Sequence, residues 1–121
     1  MNQKKYAGQE RRRAHRVDAH IPCRIAHEDG DIVSETVNVS RSGAYCRLDK
    51  RIGVMTKLKI QILLPIRKDE KTLTKTIHCQ GVVVRVEPCP ETGNYDIAIF
   101  FSEISQRDAV AIDDYVNSCT G

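Results

Sequence analysis

The stretch Val17-Asp18-Ala19-His20-Ile21-Pro22-Cys23-Arg24-Ile25 decides the fold class. Val17, Ala19, Ile21, Cys23 and Ile25 are apolar and are separated by polar residues or Pro22. A period of two predicts a strand with one buried face, because successive side chains point to opposite sides of a sheet. Pro22 falls on the outward face and cannot donate to a ladder, which predicts an edge or a bulge there.

The same alternation recurs downstream. Glu28-Asp29-Gly30-Asp31 reads as a turn, and Val33, Val37 and Val39 lie in phase on a second strand. Ala44, Cys46 and Leu48 mark a third strand, and Leu58, Ile60, Ile62 and Leu64 a fourth that Pro65 is expected to stop. The fifth is long, and its apolar parity slips at Gly81 between Leu73, Ile77, Cys79 and Val82, Val84, Val86. Such a slip predicts a β-bulge, which bends a strand toward closure. Tyr95, Ile97, Ile99 and Phe101 follow the turn residues Thr92-Gly93-Asn94. From Ser105 the period changes: Ile112, Tyr115, Val116 and Cys119 share one helical face, with Ser105 as cap and Asp108 in the first turn. The predicted fold is all-β, a six-stranded antiparallel β-barrel with a C-terminal α-helix. Residues 14–121 are expected to form one domain, behind a flexible basic arm expected over 1–13.

The charge is distributed unevenly. Lys4, Lys5, Arg11, Arg12, Arg13 and Arg16 against Glu10 give +5, so the rest of a chain of net charge +3 carries −2. A basic arm on a mildly acidic body predicts an anionic partner met at the arm. No apolar run is long enough to span a bilayer, and Met1–Tyr6 leads into charge rather than an apolar region. The expected location is therefore the cytoplasm, without membrane insertion. The five cysteines, Cys23, Cys46, Cys79, Cys89 and Cys119, form no CxxC pair, and their odd number suits reduced thiols packed as small hydrophobes. His78 and Cys79 are adjacent and would face opposite sides of a strand, so no metal site is expected.

Catalysis has no foothold. The chain lacks GxSxG, P-loop and HExxH motifs, and neither His15 nor His20 has a serine or cysteine nucleophile nearby in sequence. Asp113-Asp114 reads as a solvated helix face. No catalytic residue and no cofactor are expected.

Two short motifs remain. Arg12-Arg13-Ala14-His15-Arg16 is an RxxxR before the first strand, and Asn38-Val39-Ser40-Arg41-Ser42-Gly43 is an NxSxxG between the second and third. Arginine presents a flat, permanently charged fork that pairs with phosphate, stacks on purines and matches the O6/N7 edge of guanine. Asn38 offers donor and acceptor, Ser40 a hydroxyl, and Gly43 a backbone that a ring can approach. Alone, RxxxR describes any solvated basic tail, and NxSxxG describes a serine turn closed by glycine. Their conjunction, in this order on this strand pattern, is what discriminates.

On these motifs the chain resembles the PilZ domain family of cyclic di-GMP receptors. The resemblance runs from Gln9-Glu10-Arg11-Arg12 to the strand Tyr95-Asp96-Ile97-Ala98-Ile99-Phe100-Phe101 and the final helix. It implies that Arg12 and Arg16 grip phosphate and guanine, while Asn38, Ser40 and Gly43 cup a guanine base. It also implies a role for Arg11: arginine at this position goes with a mutually intercalated pair of ligands, hence two cyclic di-GMP per chain. The implied function is a single-domain receptor that acts in trans on an unidentified protein partner once ligand orders the arginine arm, which is expected to be mobile when free. A ligand-independent interaction adaptor on the same barrel is the alternative. A non-specific binder of DNA or RNA is disfavoured, since aromatics make up 5% of residues and tryptophan is absent.

Overall fold

The computed structural model describes residues 16–28 and 30–120. They form β1 (Val17–Asp18), β2 (Pro22–His27), β3 (Gly30–Ser40), β4 (Gly43–Leu48), β5 (Lys57–Lys68), β6 (Lys71–Cys89), β7 (Asn94–Glu103) and α1 (Gln106–Thr120). The sheet runs β1-β3-β2-β5-β6-β7-β4, and β4 also pairs with β3. Six antiparallel strands therefore close into a ring, as the sequence predicts, and β1 is an added short strand on β3.

The predicted first strand is broken. β1 pairs Val17 with Val39, β2 pairs Pro22 with Glu35, and Ala19–Ile21 lies between. Thr36, buried on β3, bridges the break: its hydroxyl accepts from the Ile21 N–H at 3.0 Å and donates to the Ala19 carbonyl. Opposite the break, the β3–β4 register slips between Thr36 and Asn38. This bulge overturns the single phase expected for the second strand. Thr36 and Val39 face the core while Val33 is 73% exposed, because one extra residue reverses the alternation.

Pro65 does not stop β5. The hairpin continues to Lys68 and Lys71, with Pro65 opposite Thr74. From Leu63 onward β5 has no registered partner on its β2 side, the edge position that proline tolerates. Asp69 and Glu70 turn the hairpin with φ of 54° and 67°, the left-handed pair a two-residue connection needs, here without glycine or asparagine. Leu73 lies on this projecting ribbon, half-exposed rather than in the core.

The slip expected at Gly81 is divided in two. The β6–β7 register shifts at Gln80/Gly81, where Ser102 is skipped, and again at Val83/Arg85, where Val84 is skipped. Only the second changes the parity of β6, so Ile77, Cys79, Gly81 and Val83 all point inward and Val84 is exposed. The core also takes Ile25, Leu48, Ile62, Leu64 and Ile97, with Ile112 and Val116 supplied by α1. Each such side chain, fully buried, stabilises the fold by about 1.5–3 kcal/mol. Ser105 caps α1 by accepting from the Asp108 N–H at 3.1 Å. Cys119, placed by periodicity on the buried face, is exposed in the last turn.

Cys23, Cys46 and Cys79 are buried as expected, Cys89 is half-buried, and burial pushes the Cys79 thiol up to about 12. The Cys23 and Cys46 sulfurs lie 4.0 Å apart inside the ring, and Cys46, against Cys23 and cut off from solvent, is pushed well above the usual thiol range. Among the described residues no helix is long and apolar enough to cross a membrane.

Candidate functional site

β1 carries the end of one motif to the start of the other. Its register pairs Asp18 with Asn38 and Val17 with Val39, and one further step sets Arg16 beside Ser40. Val17 and Val39 are buried, so Arg16, Asn38 and Ser40 share the outer face of the ring. There the Arg16 guanidinium donates from Nη1 to Asn38 Oδ1 at 2.6 Å and from Nη2 to Ser40 Oγ at 3.3 Å. It also lies 5.9 Å from the centre of the Tyr45 ring. Partial desolvation against the sheet draws the Arg16 guanidinium below its ordinary value, with Tyr45 acting the other way. It remains a cation at neutral pH, since arginine stays protonated throughout that range.

Ser40 is fully buried. Its hydroxyl accepts from Arg16 and from the Ser42 N–H at 3.2 Å, and lies 3.0 Å from Ser42 Oγ. One donor and two acceptor sites are thus used, and Ser40 works here as a hub that fixes Arg16 and Ser42. Gly43 is needed by the backbone itself: a Cβ there would come within 2.3 Å of the Ile99 carbonyl oxygen on β7.

Arg16, Asn38, Ser40 and Gly43 are therefore together on one face. Arg11, Arg12 and the arm expected over 1–13 lie outside the described residues. The structure adds neighbours that motif spacing cannot reveal. Asn38 pairs across with Tyr45, Tyr45 with Ala98, and Ala98 with Arg85. In the adjoining row Ser40 pairs with Gly43, Gly43 with Phe100, and Phe100 with Val82. Small residues at 43 and 98 leave the floor low, and Phe100 stands beside it half-exposed. Arg85 donates from Nη1 to the Tyr45 hydroxyl at 3.3 Å and from Nη2 to Glu87 at 2.8 Å. The only sequence signal for these residues is their odd or even place on strands whose register three shifts reset.

A groove of about 750 Å³ lies elsewhere. It runs over β2, β5 and β6 past Arg24, Lys59, His78 and Glu103, and shares no residue with the two motifs. Among the described residues no cluster of three or more histidine, cysteine or acidic side chains could hold a metal ion.

Comparisons with known proteins give the arrangement a context. No curated protein sequence matches the chain. Among solved structures, the inhibitor of motility MotI/DgrA of Bacillus subtilis superposes with a TM-score of 0.79 at 24% identity over 88% of this chain. This chain spans only 50% of that protein's length. The PilZ domain of YcgR from Escherichia coli, solved with c-di-GMP, gives 0.63 at 12% identity over 89% of this chain and 90% of its own. The PilZ domain of CeSA from a cellulose-synthesising bacterium gives 0.58 at 17% identity, over 88% and 99% respectively. At these identities the likeness is one of fold. The model of the PilZ domain family matches residues 10–118, nearly the whole chain, from the arginine cluster through the ring to the closing helix, and the chain belongs to that family.

Proposed function

We propose that this protein is a cyclic di-GMP receptor of the cytoplasm, not an enzyme, that passes its ligand state to a protein partner in trans. The observation that carries the reading is the contact of Arg16 with Asn38 and Ser40, which joins two motifs 22 and 24 residues apart on one outward face. Arg16 is held there by neutral groups, with the Tyr45 ring beside it, so its charge stays available to an anion. Arg12 supplies the second fork on the ligand's other side. Asn38 reads the guanine edge, Gly43 and Ala98 give the base room, and Ser40 keeps Arg16 and Ser42 in place. Arg11 extends the grip to a second ligand stacked on the first.

Calorimetric titration of the full chain with cyclic di-GMP tests the proposal. Arg16→Ala should weaken binding by about 1.5–3 kcal/mol, roughly tenfold or more. Arg16→Lys should restore little, because the planar fork is lost. Cyclic di-AMP should bind at least tenfold more weakly, since adenine places a donor where guanine has O6. Two ligands per chain are expected, with Arg11→Leu moving the count toward one. Equal affinity in the wild type and the Arg12→Ala/Arg16→Ala variant, or no binding at all, would leave a ligand-independent adaptor.

A further inference from the structure

We infer that Arg85 is a second arginine grip for the same ligand, held in reserve by Glu87; this rests on the cyclic di-GMP reading above. Neither motif contains Arg85, which lies on β6, far from both in sequence. The sheet nevertheless places it in one cross-strand row with Asn38, through Tyr45 and Ala98. Three strand spacings of about 4.8 Å separate the two ends of that row, roughly 14 Å between backbones. Arg85 at one end and Arg16, one strand beyond Asn38 on β1, both reach toward Tyr45, and two long side chains so placed can hold one ligand between them. The floor is low at Ala98 within this row and at Gly43 in the adjoining one, where Phe100 offers an aromatic edge.

The contacts of Arg85 suit a replaceable anion. Its side chain is 59% exposed and that of Glu87 51%, so their 2.8 Å ion pair stands in solvent and is weak. Nη1 is steered by the neutral Tyr45 hydroxyl, which also aligns the fork with the ring that Arg16 approaches. A phosphate or guanine edge that reaches Arg85 takes the place of the Glu87 carboxylate, one acceptor exchanged for another, with no new charge left unpaired on the arginine. The displaced carboxylate then stands near an anionic ligand, so Glu87 opposes binding twice: it occupies the fork and it repels the ligand. The two residues should thus act in opposite directions, which no purely structural role of the pair would produce.

The test is titration of the full chain with cyclic di-GMP at low and moderate salt. Arg85→Ala should weaken binding five- to twentyfold, Arg85→Lys should fall between it and the wild type, and Glu87→Gln should tighten binding several-fold. In the Arg85→Ala background, Glu87→Gln should gain less, because there is no fork left to release. Both sites are exposed, and unchanged melting temperatures will show that the variants fold. Affinities within twofold of the wild type for Arg85→Ala and Glu87→Gln, while Arg16→Ala still loses binding, overturn the role of Arg85 and leave the receptor reading standing. A wild-type chain that does not bind cyclic di-GMP overturns both.

Discussion

Gly43 meets Ile99 so closely that a Cβ on the glycine would lie 2.3 Å from the Ile99 carbonyl oxygen. Gly81 presses on Ile99 from the other neighbouring strand, where a Cβ would come within 2.5 Å of its Cγ2. The glycine that ends NxSxxG is thus a packing requirement of β4 against β7, whatever room it also gives a ligand. Gly43→Ala should destabilise the fold by about 1–3 kcal/mol, because backbone and not a pliable side chain must move. Thermal or urea unfolding checks this. A variant as stable as the wild type, with binding alone impaired, would return Gly43 to a role confined to the ligand.

Thr36 is the polar residue on which the broken first strand depends. Its hydroxyl serves the Ile21 N–H and the Ala19 carbonyl at once, deep in the fold. Thr36→Val keeps the shape and strands both groups, and should cost about 1–3 kcal/mol, whereas Thr36→Ser should keep most of the stability. Since β1 positions Arg16, Thr36→Val should also weaken ligand binding. Unfolding midpoints and calorimetry on the same two variants decide the matter.

The six-stranded ring and the capped helix were legible in the sequence because alternation and the Ser105 cap are local signals, whereas the break that splits the expected first strand into β1 and β2 was not. The phase of β3 beyond Thr36, the course of β5 past Pro65 and the place of the parity change in β6 were not. Each depends on which neighbouring strand is present, and a bulge or an open edge leaves no mark of its own in composition. The site divides the same way. Asn38, Ser40 and Gly43 stand in one short motif with Arg16 at the end of another. Tyr45, Ala98, Phe100 and Arg85 become neighbours only through the registers of β4, β6 and β7.

Arg47 and Asp96 give the ring a pH-dependent clasp between β4 and β7. Arg47 donates from Nε and Nη2 to the two carboxylate oxygens at 2.7 and 3.2 Å, and holds the Asp96 carboxyl below its usual range. A folded-state value below that of the unfolded chain means that the contribution is complete above about pH 4 and is lost as pH falls through the folded value. Arg47→Met should therefore be less stable than the wild type at neutral pH, and the difference should close in acid. The effect is modest, since the pair is partly exposed. Urea unfolding at pH 7 and pH 3 measures it. A gap that persists unchanged in acid would mean that Arg47 acts through packing alone.

The receptor reading makes its sharpest demand on the join between the basic arm and the ring. A ligand with two phosphates should draw Arg11 and Arg12 toward the face where Arg16 already meets Asn38 and Ser40. Fixing backbone costs about 1–2 kcal/mol per residue, so only the stretch that touches ligand should become ordered. The ring is tied by ladders on both sides of most strands and has no need to rearrange. On the proposed reading, the signal to a partner would be a newly formed surface of docked arm and ligand, an order–disorder switch. Amide hydrogen exchange with and without cyclic di-GMP reads this directly. Protection should rise over 11–16 and 38–43 and stay level in Gln106–Thr120. In Arg16→Ala the rise over 11–16 should disappear even at ligand concentrations that restore occupancy, because the anchor between arm and ring is gone. An arm equally protected before ligand is added would replace the switch with a preformed pocket, and a change spread through α1 would place the signal at the opposite end of the chain.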